Sequence, residues 1–98
     1  MKLTLDDQIA QIVFNAIHQN NSELPEEMYL SPKIQSVLIG PGQVWDSIGL
    51  VTFIVSVQEK ISEELGINQD ITIAVFNEKT NTLTVGLFID NVKAICKQ

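Results

Sequence analysis

One long apolar pattern governs what this chain can fold into. From Ile48 the apolar positions run Ile48, Val51, Phe53, Ile54, Val57, Ile61 and Leu65. Most gaps are three or four, so one side of a helix is almost continuously apolar. Gly66 follows, where a glycine often closes a last helical turn. The spacing predicts a helix over 47–65, roughly 28 Å long. In a chain of 98 residues such a helix is the spine against which everything else packs.

The remaining composition narrows the class. The chain is 45% hydrophobic and 18% charged, a globular balance, and its length suits a single domain over 1–98. A net charge of −6 with only six Lys and Arg argues against nucleic acid and against an anionic membrane surface. It permits docking to a basic patch on a partner protein. The single Cys96 excludes an internal disulfide. Asp6 and Asp7 stand where a signal peptide would be apolar, and the near-apolar run 48–57 is too short to span a bilayer. A cytoplasmic, monomeric protein is the expectation.

A first helix starts at Thr4, a cap, with Asp6 and Asp7 at the positive end of its dipole. It continues through Ile9, Ile12, Val13, Ala16 and Ile17 and stops at Asn20-Asn21-Ser22. Residues 20–46 read as a long loop punctuated by Pro25, Pro32, Gly40, Pro41 and Gly42. Ser31-Pro32 has the form of a cap and first helical residue, which predicts a short helix near 32–38 with Ile34, Val37 and Leu38 on its apolar face. Gly40-Pro41-Gly42 then turns the chain toward Trp45.

Beyond Leu65 two readings compete. Ile71, Ile73 and Val75 alternate with Thr72 and Ala74, and with 82–89 across a turn at 77–81 they could form a β-hairpin. Alternatively a helix capped at Thr82 or Thr84 buries Val85, Phe88, Ile89, Val92 and Ile95. A lone hairpin needs a further strand or a packing face, and no other segment reads as a strand. The helix is therefore favoured, with 70–77 a connector. The expected fold class is all-α: three main helices plus short ones, with a long loop between the first and second.

Asp46-Ser47, at the mouth of the long helix, is the candidate site. The first N–H groups of a helix lack internal partners and the dipole is positive there, so an anion is stabilised. An exposed serine hydroxyl at that place can carry a phosphodiester. On the dipeptide alone, a helix cap is the commoner explanation.

The surroundings add to this. From Gly40 to Ile67 the string GPGQVWDSIGLVTFIVSVQEKISEELGI resembles the acyl carrier proteins. Their mark is an Asp-Ser-Leu tripeptide opening a long second helix that ends in an acidic stretch and a glycine. Here the tripeptide is Asp46-Ser47-Ile48. Val51, Ile54, Val57 and Ile61 fall where that helix faces the core, and Glu59, Glu63 and Glu64 supply the acidic end. The element order fits over most of the chain, best at 44–67 and weakest at 70–84.

The resemblance implies an acyl-carrier-like bundle and one role for Ser47. Its Oγ receives 4′-phosphopantetheine from coenzyme A through a separate phosphopantetheinyl transferase with Mg²⁺, Asp46 supporting that step. The arm then carries acyl or aminoacyl groups as thioesters to acyl-loading and acyl-transferring enzymes. Such a carrier is not an enzyme by itself and needs no resident metal. Trp45, Ile48, Glu59 and Glu63 are the expected partner-facing residues. Three departures bear on the subclass: Ile48 replaces leucine; Val44, two residues before Asp46, stands where many carriers have a glycine, and Trp45 is bulky; and Gly49 and Thr52 stand where acids are common in fatty-acid carriers. Neutral first turns suit a dedicated carrier of a specialised biosynthetic pathway. Two alternatives stay open: an adaptor or binding module of the same fold that never receives the arm, and a mixed α+β domain built on a 71–89 hairpin.

The other candidates carry less. Trp45 more commonly plugs a core at such a junction than meets a partner. His18 has no second ligand at a useful spacing. Cys96 is a nucleophile only if the fold brings a histidine to it. Met28 and Tyr29 are better used in packing the loop down than in touching cargo.

Overall fold

Among the described residues, each of the three α-helices begins at a side-chain cap that the sequence supplies. Thr4 accepts the N–H of Asp7 at 3.1 Å at the head of α1 (Leu5–Asn21). Asp46 accepts that of Gly49 at 2.8 Å at the head of α2 (Ser47–Leu65), and Thr84 that of Leu87 at 3.2 Å at the head of α3 (Val85–Cys96). Each cap satisfies one of the donors left open by the first helical turn. Gly66 ends α2 in the left-handed region at φ 66° and gives its N–H to Ser62. The computed structural model describes residues 3–75 and 82–97.

The core lies among the three helices. It takes Ile9, Val13 and Ile17 from α1, Phe53, Val57 and Ile61 from α2, and Val85, Phe88 and Val92 from α3. The α1 and α3 faces are those that the spacing predicts. Trp45, Phe53 and Phe88 stack through the centre, with ring centroids 5.2 and 5.3 Å apart and tilted planes, a favourable aromatic geometry.

The face of α2 needs one correction. Val51, expected in the core, is 57% exposed. The buried arc is Phe53, Ile54, Val57 and Ile61. Ile48, Val51 and Val55 form a second apolar stripe at i, i+3 and i+7, a spacing as helical as the first. That stripe lies outside the core.

The long loop needs another. No helix forms at 32–38; residues 32–36 turn, and 37–39 are a strand, β1 (Val37–Ile39). It pairs antiparallel with β2 (Leu83–Thr84), Val37 opposite Thr84 and Ile39 opposite Leu83, with an irregularity between. Leu38 is buried but Ile34 is exposed. The cause lies in α3. Its first two N–H groups, Val85 and Gly86, donate to the carbonyls of Ser36 and Ile34, both at 2.9 Å. A helix of two turns is marginal on its own, whereas the turning stretch before β1 brings the Ile34 and Ser36 carbonyls to these donors and lets 37–39 gain a strand partner. The fold is therefore mostly helical, as expected, with a small two-stranded sheet added.

The helix reading of the C-terminal segment holds over Val85–Cys96, and among the described residues of 71–89 there is no hairpin pairing. Residues Thr72–Val75 make a 3₁₀ turn, and β2 pairs with the long loop instead. The hairpin turn placed at 77–81 lies outside the described residues. Side-chain amides fasten the connections. Asn21 donates to Leu30 O and accepts Leu30 N–H, both at 2.9 Å and buried. Gln58 donates to Gln69 O at 2.7 Å and accepts Ile71 N–H at 2.8 Å. Asn91 donates to Ala74 O at 2.8 Å. Among the described residues, no helix is long and apolar enough to cross a membrane.

Candidate functional site

The chain approaches α2 through a turn that only glycine can make. Gly40 and Gly42 have φ of 121° and 88°, conformations that side chains with a Cβ rarely adopt. Gln43 N–H closes the turn on Gly40 O at 3.0 Å. The Gln43 side chain then reaches both ways, accepting Gly40 N–H at 3.2 Å and donating to Trp45 O at 2.7 Å.

Trp45 is 2% exposed and packed on Phe53. Its place among partner-facing residues is therefore corrected: it plugs the core at the loop–helix junction. Burying so large a ring immediately before the helix fixes the entry of the chain into α2. Leu50, one turn into α2, packs against the same cluster.

Asp46 and Ser47 divide the work at the helix mouth. Asp46 is the N-cap, its carboxylate on Gly49 N–H and its carbonyl on Leu50 N–H at 2.9 Å. Ser47 is the first helical residue and is exposed. Its hydroxyl makes no hydrogen bond among the described residues. The first turn of α2 carries no acid. A phosphodiester on Ser47 Oγ would therefore meet open N–H groups and the positive end of a 19-residue helix. The residues present fit such a group.

Next to the serine, Ile48 is 78% exposed, and the stripe continues through Val51 to Val55, 48% exposed. Glu59 and Glu63 are also exposed, further along α2, where Glu63 lies 3.7 Å from Lys60. The helix thus offers an apolar strip near Ser47 and acids toward its far end. From the other side Asn20, buried at the end of α1, donates to Gly49 O at 3.2 Å and ties α1 to the first turn of α2.

The remaining candidates do not assemble. Lys97 Nζ lies 2.7 Å from Asp6 Oδ1, so the end of α3 meets the start of α1. His18 stands near the other end of α1, about 18 Å further along it, so no histidine of that helix reaches Cys96 from there. Burial raises the Cys96 thiol above its ordinary pKa, the reverse of nucleophile activation. Among the described residues no group of three His, Cys, Asp or Glu could hold a metal. Tyr29 is exposed and Met28 half-buried.

Sequence reasoning missed Gln43, Asn20 and Asn21, which hold the site and its loop. Their signal was faint: a glutamine after Gly-Pro-Gly, and two asparagines that read only as a helix end. Comparison with known proteins gives no family model, no curated protein and no solved structure that matches this chain.

Proposed function

We propose that this protein is a carrier whose Ser47 receives 4′-phosphopantetheine and which presents acyl or aminoacyl groups to partner enzymes. The observation that carries the reading is the separation of roles at the mouth of α2. Asp46 makes the cap, so the exposed hydroxyl of Ser47 is left uncommitted. The resemblance of 40–67 to acyl carrier proteins supplies the chemistry. An Oγ–phosphorus bond forms as the pyrophosphate bond of coenzyme A breaks. The adenosine bisphosphate fragment leaves, and the hydroxyl proton goes to a base of the transferase. The arm supplies a terminal thiol for thioester formation.

On this reading the chain's own residues bind and orient rather than catalyse. The N-terminal N–H groups of α2 stabilise the phosphodiester charge, and Asp46 supports the transferase and its metal ion. Ile48, Val51 and Val55 give partner enzymes an apolar strip, with Glu59 and Glu63 available to a basic rim. The neutral first turns fit a dedicated partner set in a specialised pathway. The same strip and acids would also serve an adaptor that is never modified. Co-expression with a phosphopantetheinyl transferase and intact-mass measurement separates the two. The carrier gains one arm, and Ser47→Ala gains none; an adaptor stays unmodified.

A further inference from the structure

We propose that Gln43 is a positioning residue for the modification of Ser47, a role that rests on the carrier reading above. Its side chain is the brace of the turn that delivers the serine. Oε1 accepts Gly40 N–H and Nε2 donates to Trp45 O, at 3.2 and 2.7 Å. The partners dictate the orientation of the amide, since a backbone N–H only donates and a carbonyl only accepts. A primary amide is suited to this because it carries a donor and an acceptor on one neutral planar group.

The turn needs such a brace. Gly40 and Gly42 both lie at positive φ, and glycine restricts its own backbone less than any other residue. Pro41 fixes only its own φ. Without the Gln43 side chain, the turn keeps the single backbone bond from Gln43 N to Gly40 O. With it, residues 40, 43 and 45 are linked, and Trp45 is anchored in the core. Asp46 and Ser47 follow directly. Ser47 is thus held from behind by this brace and from ahead by the Asp46 cap on Gly49.

This matters for a hydroxyl that another protein must reach. The transferase has to receive Ser47 Oγ in one geometry, and a segment already ordered in that geometry loses less freedom on binding. Gln43 itself is exposed, so its bonds weigh little in global stability and more in the local order of 40–47. Removing the brace shifts the ordering to the binding step. The consequence is a higher KM for the carrier at nearly unchanged kcat.

The test is transfer from coenzyme A by a broad-specificity phosphopantetheinyl transferase to the wild-type chain, Gln43→Ala and Gln43→Glu. Circular dichroism and thermal melts establish that each is folded. In Gln43→Ala the KM is expected to rise about tenfold with kcat within about twofold, and the Gly40 amide to exchange faster with solvent. Gln43→Glu keeps an acceptor for Gly40 but loses the donor to Trp45, and its KM rises as well. A KM unchanged in both folded variants overturns the role of Gln43 and leaves the carrier reading standing. No transfer to the wild-type chain overturns the carrier reading and this role with it.

Discussion

Asn21 and Leu30 exchange two hydrogen bonds, side-chain amide to backbone, in a buried position at the end of α1. The asparagine acts as a strand partner one residue long and closes the loop over 22–29. Replacing it with alanine leaves the N–H and the carbonyl of Leu30 buried without partners, at a cost of about 1–3 kcal/mol for such a loss. Asn21→Ala is expected to lower the unfolding free energy in urea by about 2 kcal/mol. Asn21→Asp, which keeps only the acceptor, should also lose stability. A change within about 0.5 kcal/mol would contradict the clamp.

Two helical glycines should respond with opposite signs to alanine. In a helix interior Gly→Ala normally stabilises by roughly 0.5–1 kcal/mol. At Gly49 an added Cβ meets only ordinary contacts, 3.4 Å from Asp46 Oδ1 and 3.5 Å from Trp45 Cβ, so Gly49→Ala should raise Tm. At Gly86 it would lie 3.2 Å from both the Cβ and the carbonyl oxygen of Ile34. That carbonyl is itself bonded to Gly86 N–H and cannot retreat freely. Gly86→Ala should lower stability by about 1 kcal/mol, at the low end of the range for overpacking. Thermal melts of the two variants check the pair.

The two apolar stripes of α2 make a similar contrast. Phe53→Ala opens a hole between Trp45 and Phe88 and should cost about 3–5 kcal/mol. Val51→Ser and Val55→Ser remove exposed side chains and should stay within about 0.5 kcal/mol of wild type. Denaturant titration of all three distinguishes the faces. A loss of several kcal/mol at Val51 would put the wrong stripe in the core.

Acid should find two carboxylates that favour the folded state. The hydrogen bond and charge of Lys97 hold Asp6 below the usual carboxylate range, and the hydroxyl and N–H of Thr72 do the same for Asp70. A carboxyl lowered by folding contributes fully above its unfolded value of about 4 and loses that contribution as pH falls through its folded value. The wild-type Tm should therefore decline below about pH 4, and Asp6→Asn with Asp70→Asn should flatten that decline. At neutral pH, added salt should shrink the difference between wild type and Asp6→Asn. An equally steep decline in the double variant would contradict this assignment.

The helices were legible because local signals agreed with their environment. Thr4 and Asp46 cap as expected, Gly66 closes α2, and the periodic apolar residues of α1 and α3 point inward. Spacing alone could not decide which of two helical stripes on α2 faces the core, since Ile48-Val51-Val55 and Phe53-Val57-Ile61 both repeat at three or four. The strand at 37–39 was hidden for another reason. Its partner lies more than 40 residues away at 83–84, and what favours it is the demand of α3 for acceptors, a tertiary effect that outweighs local propensity. The place of Ser47 at the head of α2 was legible from the sequence, while the bonds of Gln43 were not, because they depend on where the Gly40 N–H and Trp45 carbonyl come to lie.

The central claim is tested most directly by fragment mass spectrometry after incubation with coenzyme A, Mg²⁺ and a phosphopantetheinyl transferase. A single phosphopantetheine adduct is expected on the peptide containing Ser47, absent from Ser47→Ala. A folded wild-type chain that stays unmodified, or an adduct that persists in Ser47→Ala, would contradict it.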